Sequence, residues 1–339
     1  MPRRNRVIVV GTSAGGMDAL KHLVPQLPRE LPAPIFVVQH MSARAHAEVL
    51  AGTLQEAGGL RCKVAVNGER FTPGCIYVAP ADNHMMIDKK TIMITKGARE
   101  NRYRPAIDPL FRSAAVAHGS SVISVVLTGL LDDGTEGTAA VKACGGTTIV
   151  QDPADAAYPD MPASASQMGV DHSVPVRELG VLLDRLVRVA PGKRKRIPEG
   201  VRIEATIAER VLSDVRAVES LGEQVPYNCP SCGGVLWQIE ASKTARYRCH
   251  TGHSFTAQSL LAEQSDRIED TLWITLRMLE ERRNLLRAMK GRGYPTAGSD
   301  DRVRDIEVHI ERIRQILISG GAISNASGPR PKRVRTTPT

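Results

Sequence analysis

Short apolar runs and longer amphipathic segments alternate along the first 185 residues. The runs at 6–11, 34–41 and 121–128 are rich in β-branched residues, as expected for strands buried on both faces. The segments between them carry apolar residues at helical spacing. The alternation predicts a doubly wound α/β fold with a mostly parallel sheet. Within it, "GCIYVAP" and "HMMIDKKTIMIT" are predicted to pair with each other around a turn at "ADN".

The pattern changes after residue 190, where a basic stretch rich in Pro and Gly predicts a linker. Because this linker is polar, we expect the two halves to fold independently. The predicted parts are an α/β domain at 1–190, a basic linker and helix at 191–225, a small module at 226–256, a helical hairpin or coiled coil at 257–320 and a disordered basic tail at 321–339.

Two helices with an apolar seam are predicted in the 257–320 region. An antiparallel hairpin that buries its own seam is the favoured interpretation. The alternative is a surface for self-association or for docking on partner helices. The seam residues are Leu261, Ile268, Leu272, Leu276, Leu279 and Leu286 in the first helix, and Val303, Ile306, Ile310, Ile313 and Leu317 in the second.

Composition narrows the class of protein. The chain has 339 residues, of which 42% are hydrophobic and 24% charged, as in globular proteins. No apolar stretch is long enough for a membrane span, so we expect no membrane insertion and a cytoplasmic location. The net charge of +9 favours acidic partners. Aromatic residues make up only 4%, which leaves few stacking surfaces, and no nucleic-acid binding is expected.

Candidate chemistry stands at the carboxyl ends of the predicted strands, where ligands bind in such folds. The first strand ends in "GTSAGG", which places Ser13 in a G-x-S-x-G turn. The second ends in His40, and a later one in Asp132 and Asp133. A serine hydroxyl needs a base to take its proton, and an aspartate can orient that base, so the three predict a nucleophile, a base and an acid.

A phosphate-binding turn is the alternative for "GTSAGG". The segment is neither G-x-G-x-x-G nor a P-loop, and the second strand does not end in the acid that would hold a ribose. We therefore expect no cofactor for catalysis.

A metal site is predicted by the spacing of three cysteines and a histidine. Cys229-x2-Cys232 is followed by sixteen residues and then by Cys249-x3-His253, which is zinc-ribbon-like spacing. His250 is the alternative fourth ligand. A closed site of four N and S ligands predicts structural zinc.

Several blocks along residues 5–185 resemble, in order, the catalytic domain of chemotaxis protein-glutamate methylesterases, the CheB family. They include "VVGTSAGGMDAL", "VVQHMS", "GCIYVAPADNHM", "RPAIDPLFRSAA", "VVLTGLLDDGTEG" and "IVQDPADAAYPDMPASA". The resemblance implies a methylesterase-like fold and hydrolysis of glutamyl methyl esters on the cytoplasmic helices of methylated chemoreceptors. Some members also deamidate glutamine.

The resemblance places the nucleophile on Ser13, the base on His40 and the acid on Asp133. The family block T-G-M-G-x-D-G reads "TGLLDDG" here, so an oxyanion-hole amide falls on Leu130 and Asp132 stays an alternative acid. Leucine replaces a glycine in this loop although it resists positive φ. Typical members begin with a receiver domain, whereas here the esterase block starts within ten residues of Met1.

Two other functions stay open on the sequence. The chain could be a non-catalytic zinc-ribbon and helical signalling adaptor, which the altered "TGLLDDG" block favours. It could also be a serine hydrolase that acts on another esterified protein.

Overall fold

Seven parallel strands form the central sheet of the computed structural model, which describes residues 6–209, 215–239, 244–292 and 299–319. The strands are β1 (Val7–Thr12), β2 (Ile35–Gln39), β3 (Arg61–Val64), β4 (Cys75–Val78), β7 (Val122–Val126), β8 (Thr147–Gln151) and β9 (His172–Val174). Their order is β3-β4-β2-β1-β7-β8-β9, with all pairs parallel. The doubly wound parallel sheet predicted from the pattern is confirmed.

Six helices cover the sheet, and a separate hairpin lies beside it. The helices are α1 (Gly16–Leu23), α2 (Ala47–Ala57), α3 (Ile107–His118), α4 (Thr135–Ala143), α5 (Asp160–Ser166) and α6 (Val176–Arg188). The hairpin pairs β5 (His84–Ile87) with β6 (Ile92–Thr95). The predicted pairing of "GCIYVAP" with the following run is therefore wrong, because β4 joins the parallel sheet and the following run folds back on itself.

The two sides of β1 bury different cores. Ile8 and Val10 pack in one apolar cluster with α1, α2 and α6, whereas Val7 and Val9 pack in another with α3, α4 and α5. Successive residues of a strand point to opposite faces, so both faces of β1 are covered by helices, and its pairing with β2 and β7 places it in the middle of the sheet. The chain winds from β1 towards β2 on one side and reaches β7 on the other. The crevice between the carboxyl ends of β1 and β7 is thus the place where such sheets bind ligands.

Beyond α6 the chain forms α7 (Glu199–Glu209), α8 (Val215–Glu219) and a second sheet. Its four strands are β10 (Gly222–Asn228), β11 (Val235–Ile239), β12 (Arg246–Cys249) and β13 (Ser254–Thr256), paired antiparallel in this order. We call residues 222–256 the four-stranded module. It was predicted as a small module at 226–256, and the predicted domain boundaries stay predictions.

Buried ion pairs join the four-stranded module to the α/β domain. Residues 6–259 form one compact unit, so the module packs against the α/β domain, and independent folding of the two halves stays a prediction. Arg248 of β12 is completely buried, and a buried guanidinium requires carboxylate partners. Arg246 pairs with Glu136 of the α/β domain and with Glu204 of α7, and Arg248 pairs with Glu100 of the α/β domain and with Glu204. Within the α/β domain, Arg112 also pairs with Glu100.

The second compact unit begins at Leu260 and contains most of α9 (Ala257–Gly291) and α10 (Ser299–Ser319). Leu276 of α9 is buried with Ile306 and Ile310 of α10, so the seam is closed within the hairpin. Two predicted seam residues, Leu261 and Ile268, are exposed instead. Self-association through these helices stays a prediction, and the predicted basic tail lies outside the described residues. Among the helices of the described ranges, none is both long and apolar enough to cross a membrane.

The buried ion pairs predict the effect of changing Glu204, which accepts from Arg246 (2.7 Å) and Arg248 (3.4 Å). Glu204→Gln keeps the size of the side chain but leaves two buried guanidinium groups short of a negative charge. We expect the free energy of unfolding to fall by about 3–5 kcal/mol, measured by urea denaturation. The control is Asp184→Asn, which removes an exposed partner of Arg188 and should leave the unfolding midpoint nearly unchanged. Equal effects of the two substitutions would contradict this account.

Candidate active site

Ser13 lies in the turn between β1 and α1. Its amide donates to the carbonyl of Thr128 (3.0 Å), and its own carbonyl accepts from Nε2 of Gln39 (2.8 Å). Gly15 follows with φ of 74°, a conformation that favours glycine. A Cβ at Gly129 would lie 2.8 Å from the Ser13 Cβ, so only a glycine lets the loop after β7 approach the serine this closely. The turn is thus fixed from both neighbouring strands.

His40 follows β2, and its ring bridges Ser13 and Asp133. Nδ1 lies 3.1 Å from the Ser13 Oγ, and Nε2 lies 2.7 Å from the Asp133 Oδ2. The ring of Tyr103 stacks on the imidazole at a centroid distance of 3.7 Å. With the imidazole proton on Nε2, that nitrogen donates to the carboxylate and the Nδ1 lone pair faces the serine hydroxyl.

Asp133 is buried and is surrounded by hydrogen-bond donors. Its Oδ2 also accepts from the Ile107 amide (2.7 Å), while its Oδ1 accepts from Asn101 Nδ2 and the Gly134 amide, each at 2.9 Å. Burial raises the pKa of this carboxyl, but the hydrogen bond and charge of His40, with these donors, outweigh it and hold the pKa below its ordinary value. Asp133 is therefore ionised at neutral pH.

A second buried carboxyl, Asp108, lies beside Asp133. Its Oδ2 accepts from Asn101 Nδ2 (2.9 Å), and its Oδ1 accepts from the amides of Gly134 (3.1 Å) and Gly137 (2.7 Å). Burial, followed by the charge of Asp133, raises the pKa of Asp108 above its ordinary value. The pair thus carries one negative charge more readily than two.

Asp132 points away from His40. Its Oδ1 accepts from the Thr256 hydroxyl of the four-stranded module (2.9 Å), and burial raises its pKa to about 6. Of the two candidate acids, Asp133 is the one in contact with the imidazole.

A pocket opens above Ser13 and His40. Its wall includes Ala14, Leu130 and three arginines of the loop between β6 and α3. The backbone amides of Ala14 and Leu130 donate no hydrogen bond to any of the described residues. Two amide donors without acceptors are therefore present at the pocket beside the serine.

A second group of chemical interest lies at one end of the four-stranded module. The ligand atoms of Cys229, Cys232, Cys249 and His253 all lie within 4.8 Å of one another. Each cysteine turn is tight: the Gly233 amide donates to the Cys229 carbonyl (2.8 Å), and the Cys249 amide donates to the His253 carbonyl (3.0 Å). Three thiols and one imidazole at this separation match the ligand set and spacing of a tetrahedral metal site.

His250, the alternative fourth ligand, lies outside this group and packs in the module instead. Its ring meets Trp237 edge to face at 6.5 Å, and a Cβ at Gly234 would lie 3.0 Å from its Nδ1.

Comparisons with known proteins identify the family of the α/β domain. The family model described as CheB methylesterase matches residues 8–183. A protein-glutamate methylesterase/protein-glutamine glutaminase of Maricaulis maris is 36% identical over 182 residues, covering 52% of this chain and 45% of that protein. A relative from Leptospira interrogans is 38% identical over 181 residues and is 93% covered. The crystal structure of the Thermotoga maritima CheB methylesterase catalytic domain matches with a TM-score of 0.52 and 36% identity, over 54% of this chain and 98% of that one.

The chain belongs to the CheB methylesterase family. It spans about half the length of the first two curated relatives, from Maricaulis maris and Anaeromyxobacter dehalogenans. The family match ends at residue 183, before the four-stranded module and the helical hairpin. Ser13, His40 and Asp133 all lie within the matched region.

Within the CheB region, the loop after β7 has a left-handed residue at position 131, where this chain carries a leucine and not a glycine. Leu131 adopts φ of 63° and is half-buried, while Leu130 beside it is 41% exposed. A left-handed leucine costs about 1–2 kcal/mol because its Cβ crowds the backbone. The left-handed backbone at Leu131 is therefore held at the cost of local strain.

Three residues of this site were not singled out by the sequence. Asn101 and Tyr103 lie in an irregular loop with no periodicity, and Asp108 looks like a first-turn helix residue. The resemblance block "RPAIDPLFRSAA" contains Asp108, but it carried no assigned role. The signal for Asn101 was its residue type, because asparagine is enriched among left-handed residues and Asn101 has φ of 49°.

The strain at Leu131 predicts that glycine is better tolerated there than at the neighbouring position. We expect Leu131→Gly to raise the free energy of unfolding by about 1 kcal/mol, because it relieves the left-handed leucine. The matched control is Leu130→Gly, next to it but without positive φ, which should lower stability by about 0.5–1 kcal/mol. Both free energies of unfolding are measured by denaturant unfolding. An equal loss of stability in the two variants would contradict backbone strain at Leu131.

Proposed function

We propose that this chain is a protein-glutamate methylesterase that hydrolyses glutamyl methyl esters on the cytoplasmic helices of chemoreceptors. The same site would deamidate glutamine, the second activity in the names of its relatives. The observation that carries the proposal is the unbroken contact from Ser13 Oγ through the His40 ring to Asp133, at 3.1 and 2.7 Å. We infer a cytoplasmic location from the same substrate.

In the proposed reaction, Ser13 attacks the ester carbonyl while His40 Nδ1 takes the serine proton. The imidazolium that forms is stabilised by Asp133, which stays ionised. His40 then gives the proton to the departing methoxide, which leaves as methanol. A water molecule then attacks the acyl-serine while His40 takes one of its protons. His40 returns that proton to the departing Ser13 Oγ, which frees the serine, and the released glutamic acid ionises to the carboxylate.

The tetrahedral intermediates carry a negative oxygen that needs hydrogen-bond donors. The amides of Ala14 and Leu130, which have no acceptor within the described part of the chain, are the donors that we propose. The left-handed Leu131 follows directly and orients the peptide of this loop. The chain itself supplies the nucleophile, the base, the acid and the oxyanion donors of this scheme, so the proposed reaction requires no cofactor.

The two neighbouring aspartates test the function. We expect Asp133→Asn to reduce turnover about ten-thousandfold, because an amide cannot hold His40 in the required tautomer. Asp132→Asn keeps an acceptor for Thr256 and should reduce turnover only mildly. The measurement is methanol release from methylated chemoreceptor membranes, with Ser13→Ala as the background.

Ester hydrolysis by a folded Ser13→Ala protein at the wild-type rate would exclude the serine mechanism. A protein with no methanol release, in any form, would favour the adaptor function. Release from another esterified protein but not from receptors would indicate a different substrate for the same chemistry.

We further propose that Cys229, Cys232, Cys249 and His253 bind one structural zinc ion. Their ligand atoms lie within 4.8 Å of one another, and thiolate and imidazole are the ligands that zinc prefers. Metal binding at such a site contributes on the order of 10 kcal/mol to the folding of its segment. The four ligands leave no open position, which supports a structural role.

The two histidines of this turn provide a matched test of the metal site. We expect the purified full chain to hold one zinc ion, measured by elemental analysis. His253→Ala should lose most of it, because one ligand is gone, whereas His250→Ala should retain it. Equal retention by both variants, or a wild-type protein without zinc after purification in unchelated buffer, would refute this ligand set.

A further inference from the structure

One loop of the α/β domain lies between the proposed acid and the four-stranded module. This 97–104 loop connects β6 to α3, and Asn101 at its centre is 3% exposed. One side-chain amide of Asn101 donates to both Asp133 and Asp108, each at 2.9 Å. Tyr103 of the same loop stacks on the His40 ring. The loop thus contacts both partners of the His40–Asp133 pair.

The other side of the loop is held by the four-stranded module. The backbone amide of Asn101 donates to the Ser254 carbonyl (2.8 Å). Glu100 also pairs with Ser254 as a parallel β-bridge at the edge of β13. The Glu100 carboxylate accepts from Arg248 (3.1 Å). These contacts are buried, so water does not replace them readily.

The part of the module that holds the loop is next to the proposed metal ligands. Ser254 directly follows His253, and Arg248 directly precedes Cys249. The Arg248 guanidinium also donates to the Gly252 carbonyl (3.0 Å), within the turn between those two ligands. A metal bound by Cys249 and His253 would therefore fix the turn between Arg248 and Ser254, the two residues that contact the loop.

Asn101 needs this support because of its backbone. Its φ is 49° and that of Arg102 is 76°, so two consecutive residues hold left-handed conformations that the chain does not prefer. Strained segments of this kind persist where surrounding contacts fix them. If the turn at 249–253 opens, the loop can relax and the Asn101 side chain leaves Asp133.

We propose that Asn101 is a positioning residue for the Asp133–His40 pair, and that metal binding by the four-stranded module sets turnover through the 97–104 loop. The proposal rests on the esterase function and the metal site proposed above. It assigns the module a role in catalysis at a distance, in addition to its contribution to folding.

The first experiment compares the full chain with and without zinc. We expect chelation to reduce kcat at least about tenfold, since a lost alignment of reacting groups is costly. The readout independent of activity is the downfield proton resonance of the His40 imidazole, which should broaden or shift as its bond to Asp133 loosens. Added Zn²⁺ should restore both. Unchanged kcat and resonance in a metal-free protein would overturn the proposal.

The second experiment replaces Asn101 in the zinc-loaded full chain. Asn101→Gly keeps the left-handed backbone accessible but removes the donor to Asp133. We expect it to retain one zinc per chain, to lower kcat at least about tenfold with a smaller change in KM, and to alter the His40 resonance. The matched control is Thr244→Val, which loses a module contact to Glu136 and does not touch the loop. It should retain zinc, kcat and resonance.

The outcomes separate this proposal from the esterase function. A holoenzyme that releases no methanol but whose His40 resonance responds to zinc and to Asn101→Gly refutes the function and supports the coupling. If the holoenzyme is active but neither zinc removal nor Asn101→Gly alters its His40 resonance and kcat, the coupling is refuted and the esterase function is not. If chelation unfolds the whole chain, the zinc-loaded Asn101→Gly protein decides, and wild-type kcat in that variant overturns the proposal.

Discussion

A buried carboxylate must find hydrogen-bond donors, and Asp133 finds them in four separate parts of the chain. They come from His40 after β2, from Asn101 in the 97–104 loop, from Ile107 at the start of α3 and from Gly134 at the start of α4. A charge in a dry environment is costly unless such donors are fixed in place. The hydrogen bonds to the Asp133 carboxylate therefore also hold these four parts of the chain together around the crevice.

The same constraint explains the position of the four-stranded module. Glu100 of the 97–104 loop is buried and accepts from both Arg112 of α3 and Arg248 of β12. Removing the module would leave Glu100 with only Arg112 as a cation partner. It would also remove Arg246 and Arg248, the two arginines that pair with Glu204. The contact between the two parts thus includes buried, directional ion pairs, which fix one docking geometry more narrowly than an apolar patch would.

Much of the fold and the candidate site followed from local sequence. The parallel sheet was predictable because buried strands are continuous apolar runs. Ser13, His40 and the Asp132–Asp133 pair were predictable as strand-end residues because parallel strands end at one edge, and the choice of Asp133 came from the family resemblance. The position of β4 was not, since a short apolar run does not reveal its partner. Docking of the module was missed because a charged side chain on a strand is usually exposed, whereas Arg248 is completely buried. Asn101 was missed because its role depends on contacts with Asp133, 32 positions away, and with the backbone of Ser254 in the four-stranded module.

The two carboxyl groups at the centre of the site explain why an amide lies between them. Asn101 Nδ2 carries two hydrogens, and one can point to Asp133 while the other points to Asp108. Because burial raises the pKa of Asp108 while His40 holds that of Asp133 low, the negative charge is concentrated on the carboxyl that faces the imidazole. A cation at this position would compete with His40 for that charge, and an apolar residue would leave both carboxyls short of a donor. A neutral residue with two donors on one atom satisfies both groups and leaves the charge of Asp133 available to His40.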